Sequence, residues 1–121
     1  HHPPTNMTKP RKSLRDRRAV ASAIAEAGAD LVLHGHDHKS EMSWIDRADG
    51  ARIPVLGAPA ASTPAGRGEA AEWRLISVAR AGDAWRVSVR RRAIGADSGF
   101  SDAGRFAFDV AVQADFNAAA R

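Results

Sequence analysis

The chain of 121 residues contains no cysteine and no tyrosine, and aromatic residues make up only 6% of it. The lack of cysteine excludes disulfide scaffolds, thiolate zinc sites and cysteine nucleophiles together. The low aromatic content leaves few rings on which exposed bases could stack, so a platform for single-stranded nucleic acid is not expected. Any metal site must therefore use His, Asp, Glu or Asn as ligands.

Long apolar runs are also missing, since no stretch approaches the roughly 20 residues needed to cross a bilayer. The length fits one domain or part of one. A formal net charge of +4 permits an anionic partner such as phosphate, but the 14 acidic residues are spread along the chain and nucleic acid is not favoured. The opening at His1 lacks the pattern of a secretory signal, so we expect an internal start, a cytoplasmic location and no membrane partner.

Hydrophobic periodicity predicts one helix followed mainly by strands. The helix spans about 13–27, with Ser13 as a candidate N-cap and Gly28 as a left-handed C-terminal residue. A short, fully buried strand of the parallel type is predicted at 30–34. Two hairpins follow, pairing 41–46 with 52–56 across Asp49-Gly50, and 73–79 with 85–91.

The remaining segments carry weaker signals. The stretch 57–68 is rich in Gly, Ala, Pro, Ser and Thr and is predicted to be a loop. Beyond Gly95 the sequence is punctuated by Gly, Ser and Asp and no regular element is assigned, while the alanine-rich end is expected to fray. Possible apolar anchors in this last part are Phe100, Phe106, Phe108 and Val110.

Two histidine motifs flank the predicted helix and strand. His1-His2-Pro3-Pro4 opens the sequence, and Gly35-His36-Asp37-His38 follows the strand. In an extended backbone, side chains two residues apart leave on the same side, so His36 and His38 can converge on one volume. If a strand precedes residue 1, a right-handed βαβ crossover brings both motifs to one sheet edge, where functional loops of open α/β sheets lie.

With these motifs the chain resembles the calcineurin-like metallophosphoesterases. His1-His2-Pro3-Pro4 is similar to the family's fourth metal motif, and Gly35-His36-Asp37-His38 is similar to its fifth, Gly-His-x-His. The resemblance covers essentially the whole chain and implies an α/β fold, the C-terminal part of a four-layer α/β/β/α sandwich. It implies His1 and His36 as ligands of one metal and His38 as a ligand of the other, while His2 matches a variable position.

The implied cofactors are two divalent or trivalent metal ions, among which Mn, Fe, Zn or Co suit imidazole and oxygen ligands. The implied activity is hydrolysis of phosphomonoesters or phosphodiesters by a metal-activated water. The family's Asp-x-His, Gly-Asp-x-x-Asp and Gly-Asn-His-Asp/Glu motifs are absent. We therefore expect residues 1–121 to be the C-terminal half of the domain, with the N-terminal half as partner. Three imidazoles without a bridging acid should leave this chain inactive alone.

Simpler interpretations stay open for the same residues. His1 and His2 can be the remnant of a purification tag, and His34 is better explained as a packed residue than as a ligand. Asp37 should point away from the ligands, and Ser62 and Thr63 lack a His–acid pair. Two arginine-rich runs are most simply solvated, although the first could also steer phosphate esters: Lys9, Arg11, Lys12, Arg15, Arg17 and Arg18, and Arg90 to Arg92.

The alternative functions are a basic nucleic-acid-binding module and a structural metal-binding module without catalysis.

Overall fold

The computed structural model describes residues 1–5, 13–64, 68–95 and 97–112. Within these ranges the chain forms one helix and six strands, arranged as two three-stranded sheets. The elements are α1 (Arg17–Ala27), β1 (Val32–His34), β2 (Glu41–Asp46), β3 (Arg52–Gly57), β4 (Glu72–Ala81), β5 (Ala84–Ile94) and β6 (Phe100–Ala111). No helix in these ranges is long and apolar enough to span a membrane.

The first sheet has the strand order β1-β3-β2, with β1 parallel and β2 antiparallel to the central strand β3. Its two faces bury different side chains because alternate residues of a strand point to opposite sides. Ile45, Ile53 and Val55 pack beneath α1, where Ile24 contacts them. Leu56, the next residue of β3, packs on the other side against the second sheet.

The second sheet is an antiparallel meander in the order β4-β5-β6. Its inward face contributes Val87, Val89 and Val110, which are buried against Leu56. Trp44 of β2 meets Phe108 edge-on, with the ring centroids 6.3 Å apart. The layers therefore follow the order helix, first sheet, second sheet.

This architecture corrects the expected α/β fold and its four-layer α/β/β/α sandwich. The described chain is mostly β, with two small sheets and the single helix α1. That helix covers one face of the first sheet, and in the described ranges no helix covers the outer face of the second. The reason lies in the C-terminal segment, where Phe106, Phe108 and Val110 recur every two residues and form a strand.

The helix is shorter than its sequence signal suggested. It begins at Arg17 rather than near Ser13, and its N-cap position is Asp16, which makes no side-chain capping hydrogen bond. The predicted end is confirmed: Gly28 has φ 79° and ψ 44°, and its N–H donates to the carbonyl of Ile24. Glycine occupies this left-handed conformation without the steric cost of a Cβ atom.

Both predicted hairpins are confirmed, with β2 pairing β3 and β4 pairing β5. The parallel character of the strand after the helix is confirmed by the pairing of β1 with β3. Its predicted full burial is wrong, since Leu33 is 59% exposed. Beyond Gly95, where no regular element is assigned from the sequence, the structure has β6, the longest strand of the described chain. Several predictions concern residues outside the described ranges: Lys9, Arg11 and Lys12, part of the loop 57–68, and the alanine-rich end.

Candidate metal site

The N-terminal segment lies against the loop that follows β1. The N–H of Gly35 donates to the carbonyl of His1 at 3.1 Å. Pro3 and Pro4 are buried, and the hydroxyls of Thr5 and Ser43 are hydrogen-bonded at 2.9 Å. The opening motif is thus held in place by backbone, apolar and side-chain contacts together.

The loop after β1 turns sharply at its two outer histidines. His36 has φ 68° and His38 has φ 55°, both in the left-handed region that non-glycine residues seldom adopt. The N–H of Asp37 donates to the carbonyl of Gly35 at 2.8 Å, which closes the turn between them. The expectation of an extended backbone, with the side chains of His36 and His38 on the same side, is therefore wrong.

The turn brings His36 against the opening motif. Nδ1 of His36 and Nε2 of His1 are hydrogen-bonded at 3.1 Å, although 35 residues separate them in sequence. Their rings are nearly perpendicular, with centroids 5.0 Å apart. The ring of His2 lies closer still to that of His36, at 3.9 Å between centroids. Three imidazoles therefore share one small volume at the carboxyl end of β1.

The separation of the His1 and His36 nitrogens fits two ligands of a single ion. Nitrogen ligands at about 2.0–2.1 Å from a metal, with angles between octahedral and tetrahedral values, stand about 2.9–3.4 Å apart. The other ring nitrogen of His36, Nε2, does not face His1; like Nε2 of His34, it is buried and has no hydrogen-bond partner in the described chain. A buried polar atom left without a partner costs free energy and is uncommon in folded proteins.

His38 does not join this pair. Its side chain is exposed, and among the described residues it has no hydrogen bond or ring contact with His1 or His36. No group of three or more His, Asp or Glu side chains in the described ranges is placed to hold a metal ion. The structure therefore brings together the ligands expected for one ion and leaves the ligand expected for the second apart.

His34 occupies a packed position at the end of β1. It is buried, and its Nδ1–H donates to the carbonyl of Gly35 at 2.9 Å. A Cβ atom added to Gly57 on the neighbouring strand would lie 2.7 Å from Cε1 of His34, so the ring fills the space that glycine leaves open. Nε2 of His34 is 3.8 Å from Oε1 of Glu41, too far for a hydrogen bond.

Sequence reasoning missed a buried ionic network beside this loop. Glu72 of β4 accepts hydrogen bonds from Nε of Arg74 at 2.6 Å and from the guanidinium of Arg91 at 2.6 and 2.9 Å. Arg74 also donates to the hydroxyl of Ser40 at 2.8 Å, and the N–H of Ser40 donates to Glu69. Strand alternation, which turns Glu72, Arg74 and Arg91 inward, was the available signal.

The network fixes the charge of its carboxylate. Burial alone would raise the pKa of Glu72, but the hydrogen bonds from Arg91 and Arg74 outweigh it and hold the pKa below its ordinary value. The hydrogen bond to Glu72 in turn raises the pKa of Arg91. Ser40 lies two residues after His38, so the network anchors the far end of the histidine loop to the second sheet.

The other side chains singled out in the sequence take no part in the cluster. Asp37 makes no side-chain hydrogen bond within the described ranges. Ser62 is exposed, and Thr63 uses its backbone carbonyl to accept the N–H of Ala71.

Comparisons with protein-family models, curated proteins and solved structures find no match to this chain.

Proposed function

We propose that this chain contributes metal ligands to a metal-dependent phosphoesterase that hydrolyses phosphomonoesters or phosphodiesters in the cytoplasm. The observation that carries the proposal is the 3.1 Å approach of His1 Nε2 to His36 Nδ1. Both imidazoles must present a lone pair to one cation, which requires them to be neutral and deprotonated at those atoms. A bound ion of this kind supplies Lewis acidity toward a phosphoryl oxygen and lowers the pKa of bound water.

The residues of this chain would hold a metal ion and orient the imidazoles that bind it. The backbone hydrogen bond from Gly35 to His1 and the left-handed turn at His36 set the positions of the two imidazoles. His38 is assigned to a second ion, which needs carboxylate ligands beyond those that the described residues bring to this loop. We therefore propose a partner segment that carries acidic ligands, and no turnover by this chain alone.

Metal binding tests the first part of the proposal. Titration of the chain with Mn²⁺ by calorimetry should reveal one site. His36→Ala should weaken that site by about tenfold or more, since a ligand is removed. His38→Ala is the matched control, because it removes a histidine from the same loop and should leave the affinity unchanged. Equal affinity of the chain and the His36→Ala variant for Mn²⁺ would contradict the proposal.

Hydrolysis of a nitrophenyl phosphodiester with excess Mn²⁺ tests the second part. The chain alone should show no turnover, and a longer polypeptide that joins it to acidic metal motifs should show turnover that His36→Ala abolishes. Turnover by the isolated chain that depends on His36 would refute the required partner. A melting temperature that falls on chelation, with no turnover in the longer polypeptide, would instead identify a structural metal site.

A further inference from the structure

The outer face of the second sheet carries side chains in four cross-strand rows. Val87 and Val89 point inward to the core, so the alternate residues of β5 and their register partners point outward. From one end of the sheet to the other, the rows are Trp73–Arg92–Asp102, Leu75–Arg90–Arg105, Ser77–Ser88–Ala107 and Ala79–Arg86–Asp109. No helix of the described chain covers this face.

The second row places two arginines directly opposite each other. Arg90 and Arg105 are Cα register partners, and both are exposed. Within the described part of the chain, neither has an ion pair or hydrogen bond. Like charges in opposed positions of neighbouring strands are destabilising. An anion between the two guanidinium groups would remove that repulsion.

The arginines of the flanking rows are already engaged. Arg86 forms a two-pronged ion pair with Asp109 on the neighbouring strand. Arg92 donates to the carbonyl of Phe100 at 2.7 Å, and its guanidinium carbon lies 6.0 Å from the ring centre of Trp73. Among the described residues, Arg92 keeps one N–H group without a partner, at Nε, but this atom is buried. The exposed guanidinium groups without a partner on this face of the described chain are therefore those of Arg90 and Arg105.

Next to the two free arginines lies a row of short side chains. This row lies in an open hollow of about 450 Å³, whose lining residues are Leu75, Ser77, Ser88, Val89, Arg90, Arg105, Phe106 and Ala107. The hydroxyls of Ser77 and Ser88 belong to directly opposed residues. The hollow thus combines two guanidinium groups with two hydroxyl groups around a space open to solvent.

We propose that this hollow binds a phosphate group, with Arg90 and Arg105 as charge-assisted donors and Ser77 and Ser88 as hydroxyl donors. The planar guanidinium presents paired N–H groups that match the oxygen spacing of phosphate. The ligand class is a phosphate-bearing anion, carried either by a small ester or by a nucleic-acid strand. The site is separate in residues and chemistry from the His1–His36 pair and does not rest on the proposed hydrolysis.

Titration with inorganic phosphate tests the site. The protein is kept in EDTA and at constant ionic strength, so that metal-bound phosphate and general screening do not contribute. The backbone amide NMR signals of residues 75, 77, 88, 90 and 105 should shift together and saturate. Arg90→Gln and Arg105→Gln should each weaken binding by about tenfold, the value expected for losing one charged hydrogen-bonding group.

Arg86→Gln is the matched control, since it removes the same charge from the same face but from an arginine that is already paired. It should change the affinity by less than about twofold. All three arginines are exposed, and thermal melting should show folded variants. Shifts that do not saturate, or equal losses in all three variants, would overturn the proposal.

A single-stranded oligonucleotide distinguishes the two sources of phosphate. If it binds at least a hundredfold more tightly than inorganic phosphate, weakens steeply with salt and depends on Arg90 and Arg105, the site takes a nucleic-acid strand. If it binds no more tightly than phosphate and shows the same dependence on both arginines, the site takes small esters. Binding of neither probe overturns the site. We expect the His36→Ala variant to retain phosphate binding, because the metal site and the phosphate site share no residue. Phosphate binding can therefore be confirmed or refuted even if the metal site does not exist.

Discussion

Arg90, Arg91 and Arg92 are adjacent in β5 and have three different surroundings. Arg91 points toward the buried side and binds Glu72, whereas Arg90 is exposed and Arg92 donates to a backbone carbonyl. Successive strand residues point to opposite faces, so a run of like charges is divided between two environments. The three side chains therefore do not face one partner. The prediction that all three arginines are simply solvated is wrong for Arg91, which binds Glu72.

Glu72→Gln should lower the free energy of unfolding by about 3 kcal/mol at neutral pH, because Arg74 and Arg91 would lose their carboxylate in a buried setting. Since the pKa of Glu72 is lowered by folding, the carboxylate stabilises the fold fully above its ordinary pKa of 4.5. That contribution is lost as the pH falls below 4.5. The advantage of the natural chain over Glu72→Gln should therefore shrink with acidification.

Urea unfolding at a series of pH values measures this difference. Asp109→Asn is the control, because its partner Arg86 is about half-exposed and the pair contributes about 0.5 kcal/mol or less. A gap between the natural chain and Glu72→Gln that stays constant from pH 7 to pH 3 would contradict the role assigned to the ionised carboxylate.

Among the secondary-structure elements, α1 depends most on its C-terminal end and on packing. Its first turn contains no acidic residue, and its N-cap lacks a side-chain hydrogen bond. Its apolar stripe supplies Ala21, Ile24 and Ala25 to the cluster over the first sheet. A helix of 11 residues is marginal by itself, so it is the sheet surface that stabilises it.

Gly28→Ala should destabilise the protein by about 1 kcal/mol, because alanine at φ 79° carries the steric cost of a left-handed conformation. Gly28→Asn should cost less, since asparagine tolerates this region better. Thermal unfolding of both variants and of the natural chain measures which substitution costs more stability. Equal melting temperatures for Gly28→Ala and the natural chain would show that the cap does not constrain the helix end.

On the scale of the whole molecule, β3 connects the layers. Val55 faces the helix and Leu56 faces the second sheet, so adjacent residues of one strand belong to two core clusters. The first residues of the chain lie against the loop after β1, and the Glu72 network anchors the same loop from the second sheet. The loop that carries His36 therefore has contacts with the N-terminal segment on one side and with the second sheet on the other.

Leu56→Ala should lower the free energy of unfolding by about 3 kcal/mol, the usual cost of a cavity at a fully buried leucine. Leu33→Ala is the matched control, because Leu33 is the register partner of Leu56 on β1 but is 59% exposed. We expect Leu33→Ala to change stability by about 0.5 kcal/mol or less. Chemical denaturation of the two variants decides the matter, and similar losses in both would contradict a core centred on β3.

The sequence by itself determined the elements whose signals are local: the helix end at Gly28, the strand after it, and both hairpins. It also marked His1 and His36 as chemically notable. The tertiary structure decided what depends on long-range pairing. It made a strand of the Phe106–Phe108–Val110 segment through pairing with β5, brought His1 to His36 and left His38 apart, and placed Arg91 and Arg74 on Glu72. Such contacts join residues distant in sequence, and their geometry is set by packing rather than by local conformational preference.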